Sequence, residues 1–116
     1  MRKTPEPLAG EVWDLFLDPS IGHEQGGRRP ALVVSSDHFN QVENGLHMVV
    51  PITGTNRNIR FHLPINPPDG GLAKESVLMC DQARSLSVLR FRRRRGVVSP
   101  ELLREVQEMV GMIIDR

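Results

Sequence analysis

The sequence predicts a small, mainly β protein in which a strongly curved antiparallel barrel carries one helix at its C-terminal end. Three observations indicate this fold class. Short apolar segments alternate with turns rich in glycine and proline. The apolar spacing typical of a long helix occurs only near the end of the chain. The regular strand–helix alternation that builds a parallel sheet is absent. With 116 residues, the chain has the length of one domain.

Five or six short strands are expected. The clearest pattern is in residues 59–63, where every second side chain is apolar, as in a strand with one buried face. Residues 18–30 contain three glycines and two prolines and are predicted to form a polar loop, whose length favours a functional role. A short turn or helical segment is predicted to begin at Asp37. The expected strands span residues 10–17, 31–36, 46–53, 59–63, 76–86 and 90–98.

Helix signals are concentrated at the end of the chain. Ser99 can cap a helix, Pro100 suits the first helical position, and Glu101 is favoured near the positive end of the helix dipole. The apolar residues that follow recur at steps of three and four, so they form a stripe that packs on the protein's own sheet or on a second copy. The stripe consists of Leu102, Leu103, Val106, Met109, Val110, Ile113 and Ile114.

Composition narrows the classes of protein. The single cysteine, Cys80, excludes an internal disulfide, and it is expected to be a small buried residue of a strand rather than a catalytic thiol. Pairs of cysteine and histidine at zinc-ligand spacing are absent, and we expect no metal or cofactor. Residues 1–9 are expected to be a loose tail before a single domain at residues 10–116. The chain shows neither a signal peptide nor an apolar membrane span, so a cytoplasmic protein is expected.

Charge is distributed unevenly. The formal net charge is +1, yet six of the fifteen basic residues lie between Arg84 and Arg95. Such a run is usually a solvated surface strand, but a local basic patch can also attract phosphates. Both interpretations stay open from charge alone.

The densest polar cluster lies in the predicted loop before the second strand. Gly26 and Gly27 let a backbone approach a ligand closely. Pro30 restricts Arg29 to an extended conformation, which would place at the strand start a planar guanidinium suited to a phosphate. An ordinary surface loop explains the same pattern about equally well. Other side chains of this cluster that could contact a ligand are His23, Glu24, Gln25 and Arg28.

Two further polar features could belong to a site. Thr53 ends a predicted strand, where its hydroxyl could donate to a phosphate oxygen, although threonine is also simply common in strands. A second cluster interrupts the apolar segment 76–86, and it could support a site, line a groove or form a structural hydrogen-bond network. That cluster comprises Asp81, Gln82, Arg84 and Ser85. The four histidines are scattered, and apart from His23 in the loop we expect surface or hydrogen-bonded structural residues.

Taken together, the motifs resemble those of one family. The segment GEVWDLFLDPSIGHEQGGRRPALVVSS, residues 10–36, resembles the opening of MazF/PemK toxins. The matching residues there are Gly10, Glu11, Val12, Trp13, Gly22, Glu24, Arg29, Pro30 and Ser35. VVPIT places the family threonine at Thr53, and VLMCDQARSL resembles the family segment that holds Asp81, Gln82, Arg84 and Ser85. A final helix beginning with Ser-Pro-Glu also matches. The likeness runs in order from Gly10 almost to the end of the chain.

The resemblance implies an SH3-like barrel of the MazF/PemK (CcdB-like) fold and a homodimer. It also implies an endoribonuclease toxin that cuts single-stranded RNA, often messenger RNA, at short sequences and is blocked by a cognate MazE-like antitoxin. The implied products carry a 2′,3′-cyclic phosphate and a 5′-hydroxyl. Arg29 and Thr53 would be catalytic, and supporting or RNA-binding roles would fall to His23, Glu24, Gln25, Arg28, Ser36, Asp81, Gln82, Arg84 and Ser85.

Two stretches depart from the family pattern. Residues 54–64 lack the common lysine-glycine-tyrosine sequence, so the recognised RNA sequence cannot be transferred. The run Arg92 to Arg95 is unusually dense and could widen the RNA groove or meet the antitoxin.

The sequence does not identify which residues act as the general acid and the general base. Arginine has a pKa above about 12 and is a poor base, yet the resemblance places proton transfer near Arg29. His23 and Glu24 are chemically easier candidates. Two other functions are also alternatives: a toxin of the same fold that binds DNA gyrase, and a non-catalytic SH3-like binding module. The first has no need for Arg29, and the second usually displays an aromatic groove, whereas this chain has no tyrosine.

Overall fold

The computed structural model describes residues 6–17, 27–41 and 45–114, and this part of the chain contains seven strands and two helices. In chain order they are β1 (Glu11–Leu15), β2 (Arg29–Val33), α1 (Asp37–Asn40), β3 (Leu46–Thr53), β4 (His62–Ile65), β5 (Ser76–Met79), β6 (Arg84–Ser87), β7 (Phe91–Val97) and α2 (Pro100–Ile114). The predicted mainly β fold with a C-terminal helix is confirmed, including the short helix that begins at Asp37.

All strand pairs are antiparallel, in the order β4-β5-β3-β2-β1-β7. The long strand β3 organises the sheet, because it pairs with β2 along one side and with both β5 and β6 along the other. The single strand expected at residues 76–86 is therefore wrong. A 3-10 turn at Cys80–Gln82 divides it, so that β5 pairs with the end of β3 and β6 with its beginning.

The strand expected at residues 59–63 is displaced: β4 runs over His62–Ile65. Alternation alone suggested the earlier start, but Ile59 remains 40% exposed. The ladder with β5 begins only where His62 faces Met79. Pairing with a neighbouring strand, which alternation does not reveal, therefore fixes the boundary.

Backbone packing, rather than a ladder, brings the two ends of the sheet together. Among the described residues no ladder joins β4 to β7. Instead, the 3-10 turn at Asp69–Gly71, which follows β4, packs on β7. Gly71 has a φ of +70°, and a side chain there would collide with the carbonyl of Arg95. A glycine is required at this point because both its φ and the close approach exclude a Cβ.

The sheet carries apolar clusters on both faces. One face packs against α2, where Val106 and Val110 meet residues that include Leu32, Val50 and Ile52. The opposite face holds the second cluster, which consists of Leu15, Ala31, Val33, Val49, Leu86 and Phe91. β3 contributes to both, because its successive side chains point to opposite faces.

Cys80 belongs to the first cluster and is 1% exposed, so its expected burial is confirmed, but it lies in the 3-10 turn after β5 and not in a strand. Burial, together with the nearby carboxylate of Asp81, raises the pKa of the Cys80 thiol to about 11. The thiol therefore stays protonated at neutral pH and is a poor nucleophile.

The predicted start of α2 is confirmed. The Ser99 hydroxyl accepts a hydrogen bond of 3.1 Å from the Leu102 N–H, and Pro100 is the first helical residue. The side chain of Gln107 donates to the Val34 carbonyl over 2.9 Å, which ties the helix to the sheet. Within the described ranges, no helix is long and apolar enough to cross a membrane.

Candidate active site

The two predicted catalytic residues lie at neighbouring ends of the paired strands β2 and β3. Ala31 faces Pro51 and Val33 faces Val49, and continuing the same register by two residues sets Arg29 opposite Thr53. Side chains at opposite positions of an antiparallel pair share one face, with Cβ atoms about 5 Å apart. Both residues therefore lie at the end of the face that carries the second apolar cluster, where Arg29 is exposed and Thr53 is half-buried.

Thr53 lies on the wall of an open cleft of about 190 Å³, here called the Thr53 cleft. Its hydroxyl oxygen accepts a 3.2 Å hydrogen bond from the Thr55 N–H. Since a hydroxyl can donate while it accepts, its proton remains able to reach a ligand oxygen. The cleft is lined by Thr53, Thr55, Arg57, Ile59, His62, Met79 and Gln82.

A histidine on the cleft wall is paired with a carboxylate. His62 Nε2 lies 3.0 Å from Asp81 Oδ1, and the His62 side chain is only 5% exposed. The other ring nitrogen, Nδ1, is buried and has no hydrogen-bond partner. Sequence reasoning missed His62, which it took for a surface or structural histidine. The available signal was its place on the polar side of the alternating segment 59–63.

The predicted polar cluster contributes to this region in part. Asp81 holds His62, and Gln82 lines the Thr53 cleft itself. Arg84 is exposed on β6 opposite Val49, so its side chain shares the sheet face of Thr53, four residues further along β3. Ser85 is opposite Met48 and points to the other face.

The serines after β2 have structural roles. The Ser36 hydroxyl accepts from the Phe39 N–H over 3.1 Å and caps α1. The Ser35 hydroxyl donates to Asn40 Oδ1 and accepts from the Met48 N–H. Both follow the end of β2, whereas Arg29 is its first residue. At about 3.3 Å per residue, Ser36 lies roughly 20 Å from Arg29 along the strand direction.

Three predicted site residues, His23, Glu24 and Gln25, lie outside the described residues. Arg28, next to Arg29, is described and exposed. Where the structure describes the chain, no three histidine, cysteine, aspartate or glutamate side chains lie together as a metal-binding group.

The basic run largely forms internal contacts on β7. Arg94 Nε lies 2.8 Å from Glu11 Oε2, and Arg95 Nη1 lies 3.2 Å from Asp14 Oδ1. Arg92 stacks over the Phe16 ring at 4.8 Å and donates to two nearby carbonyls. Carboxylates of β1 therefore offset much of the positive charge that the sequence suggested for this run.

His47 is structural, as expected. It is 4% exposed and its ring lies 5.3 Å from that of Phe91. Burial lowers the pKa of His47 below its ordinary value, and a hydrogen bond with the Pro7 backbone offsets this only partly. Pro7 is itself buried, and the Leu8 and Ala9 N–H groups donate to Glu11 and Asp37, so the end of the segment expected to be a loose tail is held to the domain.

Fold and site together define a class of protein. Arg29 begins β2, and Thr53 ends β3 on the wall of an open cleft with polar side chains, on a curved β-sheet. A planar cationic fork and a hydroxyl donor suit the oxygens of a phosphate ester. An open cleft with polar walls leaves room for an extended ligand. The class is therefore a small β-domain with an open polar cleft whose side chains suit a phosphate-linked ligand.

The chain belongs to the PemK-like, MazF-like toxins of type II toxin–antitoxin systems, since the family profile matches residues 8–114. It is 36% identical over 120 residues to the endoribonuclease toxin ChpB of Escherichia coli strain K12, and the match covers 99% of this chain and 100% of that protein. It is similar to the crystal structure of MazF from Deinococcus radiodurans, with 32% identity, a TM-score of 0.79, and coverage of 97% of this chain and 99% of that one.

A solved MazE–MazF structure from Deinococcus radiodurans is also similar, with 30% identity and a TM-score of 0.77. That match covers 95% of this chain and 97% of the solved chain. These likenesses confirm the family and the fold that the sequence motifs predicted.

Proposed function

We propose that this protein, an endoribonuclease toxin of the PemK-like, MazF-like family, cuts single-stranded RNA at short specific sequences without a metal ion. The products would carry a 2′,3′-cyclic phosphate and a 5′-hydroxyl. One observation supports the proposal: the β2–β3 register, continued two residues beyond the Ala31–Pro51 pair, aligns Arg29 with Thr53, which lines the Thr53 cleft.

The reaction is an internal transesterification. The 2′-oxygen bonds to phosphorus while the bond from phosphorus to the 5′-oxygen breaks. A base removes the 2′-hydroxyl proton and an acid protonates the leaving 5′-oxygen. Extra negative charge accumulates on the non-bridging oxygens, so fixed donors aimed at them lower the barrier. Arg29 would supply a charged fork and Thr53 a hydroxyl proton from the facing strand.

Proton transfer has candidates on both sides of the site. His62 is held by Asp81 on the wall of the Thr53 cleft. Nε2 faces Asp81 and Nδ1 is buried, so the ring of His62 would have to turn towards the cleft to take a proton from a substrate. His23 and Glu24 belong to the loop before Arg29, outside the described residues. An arginine guanidinium stays protonated at neutral pH, so it does not readily accept the proton of the 2′-hydroxyl. We assign Arg29 to charge stabilisation and leave the base among these three groups.

Sequence selection would come from hydrogen bonds to the edges of unpaired bases and from stacking on arginine, because only 4% of the residues are aromatic. Gln82 and Arg57 line the Thr53 cleft. Both can form hydrogen bonds to base edges, and Arg57 can also stack on a base. Arg84, exposed on the same sheet face, could bind a further phosphate of the strand.

The proposal includes a cognate MazE-like antitoxin and a homodimer that act in the cytoplasm, where messenger RNA is available. The similar MazE–MazF structure supports the antitoxin. Apolar side chains near the end of α2 support the dimer, since Met112 and Ile114 are 61% and 71% exposed. Sedimentation of a monomer at micromolar concentration would contradict the dimer.

The test is cleavage of a long single-stranded RNA by the purified protein in EDTA, with the new ends mapped. We expect discrete cuts that leave 5′-hydroxyl and cyclic-phosphate ends. Restoration of cleavage only by added divalent metal would contradict the metal-free mechanism. Intact RNA in the presence of folded protein would contradict the activity itself.

A further inference from the structure

A second cleft lies beside the Thr53 cleft. It has a volume of about 300 Å³ and is here called the Glu75 cleft. Its lining is formed by Gly54, Asn56, Pro64, Asn66, Glu75, Ser76 and Val77. None of the residues predicted from the sequence to form the site lines it.

The loop after β3 separates the two clefts. Thr53, Thr55 and Arg57 line the Thr53 cleft, whereas Gly54 and Asn56 line the Glu75 cleft. Successive residues thus alternate between the clefts. The loop is braced by two local bonds, from the Thr55 N–H to the Thr53 hydroxyl and from the Asn58 N–H to Asn56 Oδ1 at 2.8 Å. Because its oxygen accepts this bond, the Asn56 side chain has its amide protons left to donate to a ligand.

The strand register shows how near the two clefts are. Val77 of β5 faces Thr53 of β3 on one side and Pro64 of β4 on the other. Neighbouring strands are about 4.8 Å apart, so Pro64 lies roughly 10 Å from Thr53 across the same sheet face. A single strand of RNA whose phosphate lies between Arg29 and Thr53 can therefore place a neighbouring base in the Glu75 cleft.

The floor and rim of the Glu75 cleft suit a nucleobase. Pro64 and Val77 are register partners and form a small apolar floor for a flat ring. The same register, continued by one residue, sets Asn66 opposite Glu75. The rim therefore presents the Asn66 amide beside the Glu75 carboxylate. The carboxylate would repel a phosphate but accepts hydrogen bonds from amino groups.

We infer that the Glu75 cleft binds one unpaired base next to the scissile phosphate and selects bases that carry an exocyclic amino group over uracil. Glu75 accepts from the amino group, and the amides of Asn56 and Asn66 pair with the remaining edge atoms of the base. Uracil offers a carbonyl at the corresponding edge, which the Glu75 carboxylate repels. Lys74, whose side chain lies over Gly54 between the clefts, is placed to contact the joining phosphate. This inference rests on the proposed ribonuclease activity.

The test is cleavage of a randomised single-stranded RNA pool, sequenced around each cut. For the wild-type protein we expect uracil to be depleted about tenfold or more at one fixed position beside the cut. Glu75→Gln keeps the shape of the side chain but can donate to the uracil carbonyl, so it should remove most of this depletion. Glu101→Gln, an exposed glutamate on α2, makes the same charge change elsewhere and should leave the pattern unaltered.

Two cleavage outcomes would overturn the inference: no wild-type discrimination against uracil at any flanking position, or undiminished discrimination in Glu75→Gln. Binding of cytidine and uridine oligonucleotides provides a readout without cleavage. The wild type should prefer cytidine by about tenfold and Glu75→Gln should not. If the folded protein cuts nothing yet shows this preference, the proposed activity fails and the base pocket stands. Cleavage with equal binding of both oligonucleotides would leave the activity standing and refute the pocket.

Discussion

Glu11 should stabilise the fold through three hydrogen bonds, and its replacement provides a quantitative test of the structure. It is 9% exposed. Oε1 accepts from the Leu8 N–H at 2.8 Å and from the Trp13 indole at 3.0 Å, while Oε2 pairs with Arg94. Glu11→Gln keeps an acceptor for the Leu8 N–H and the Trp13 indole. It loses the negative charge that strengthens these two hydrogen bonds, which costs about 1 kcal/mol of stability for each. The Arg94 pair adds at most about 1 kcal/mol, since Arg94 is half exposed.

We therefore expect Glu11→Gln to lose about 2–3 kcal/mol of unfolding free energy, and Glu11→Ala about 3–4 kcal/mol because two partly buried donors then lack an acceptor. Urea unfolding followed by the fluorescence of Trp13, the single tryptophan, measures both values. Arg94→Gln, which removes only the exposed partner, is the control and should cost about 1 kcal/mol or less.

The same carboxylate predicts a pH dependence. Burial alone would raise the pKa of Glu11, but the hydrogen bonds from Trp13, Leu8 and Arg94 outweigh it, so the pKa lies below its ordinary value. Its contribution is then fully present above the unfolded-state pKa of about 4.3 and is lost as pH falls through the folded-state value. The stability gap to Glu11→Gln should narrow over that acid range. A gap below about 0.5 kcal/mol at pH 7, or one that is independent of pH, would refute this account of Glu11.

Two further predictions concern the closure of the sheet and the cleft wall. Gly71→Ala should destabilise the protein by about 2 kcal/mol or more, because of its positive φ and the collision with the Arg95 carbonyl. Gly111 has open space around it in α2, so Gly111→Ala should instead stabilise the protein by about 0.5–1 kcal/mol. Equal changes in unfolding free energy for the two variants in urea titrations would contradict the packing of Gly71 against β7. Asp81→Asn and His62→Gln should lower the cleavage rate similarly, and the double variant little further, since they break one contact. Fully multiplicative losses in single-turnover assays would argue against the pair.

Much of the fold could be predicted from local sequence, because its signals are local. The β3 segment and the capped start of α2 were expected where they occur. Residues 76–86 show the limit of this reasoning. Their apolar run is continuous, but the turn at Cys80–Gln82 exists because two parts of it pair with different parts of β3. A long-range register of this kind leaves no mark in a local pattern.

The sequence names candidate residues for the site but not their arrangement. Family motifs pointed to Arg29 and Thr53, while only the strand register, continued two residues beyond the Ala31–Pro51 pair, aligns them. His62 was missed because its role depends on Asp81, nineteen residues away. Charge alone left the role of the basic run open for the same reason, since the carboxylates that pair with Arg94 and Arg95 lie on β1, far away in sequence.

A double-variant cycle on RNA cleavage shows whether Arg29 and Thr53 act on one phosphate from neighbouring strands. Single-turnover rates would be measured in EDTA for the wild type, Arg29→Ala, Thr53→Ala and the double variant, with Glu101→Gln as a surface control. We predict that Arg29→Ala slows cleavage by about 100- to 1000-fold and that the double variant is much faster than the product of the single losses implies. Wild-type rates in either single variant, or losses that multiply fully, would contradict a shared site.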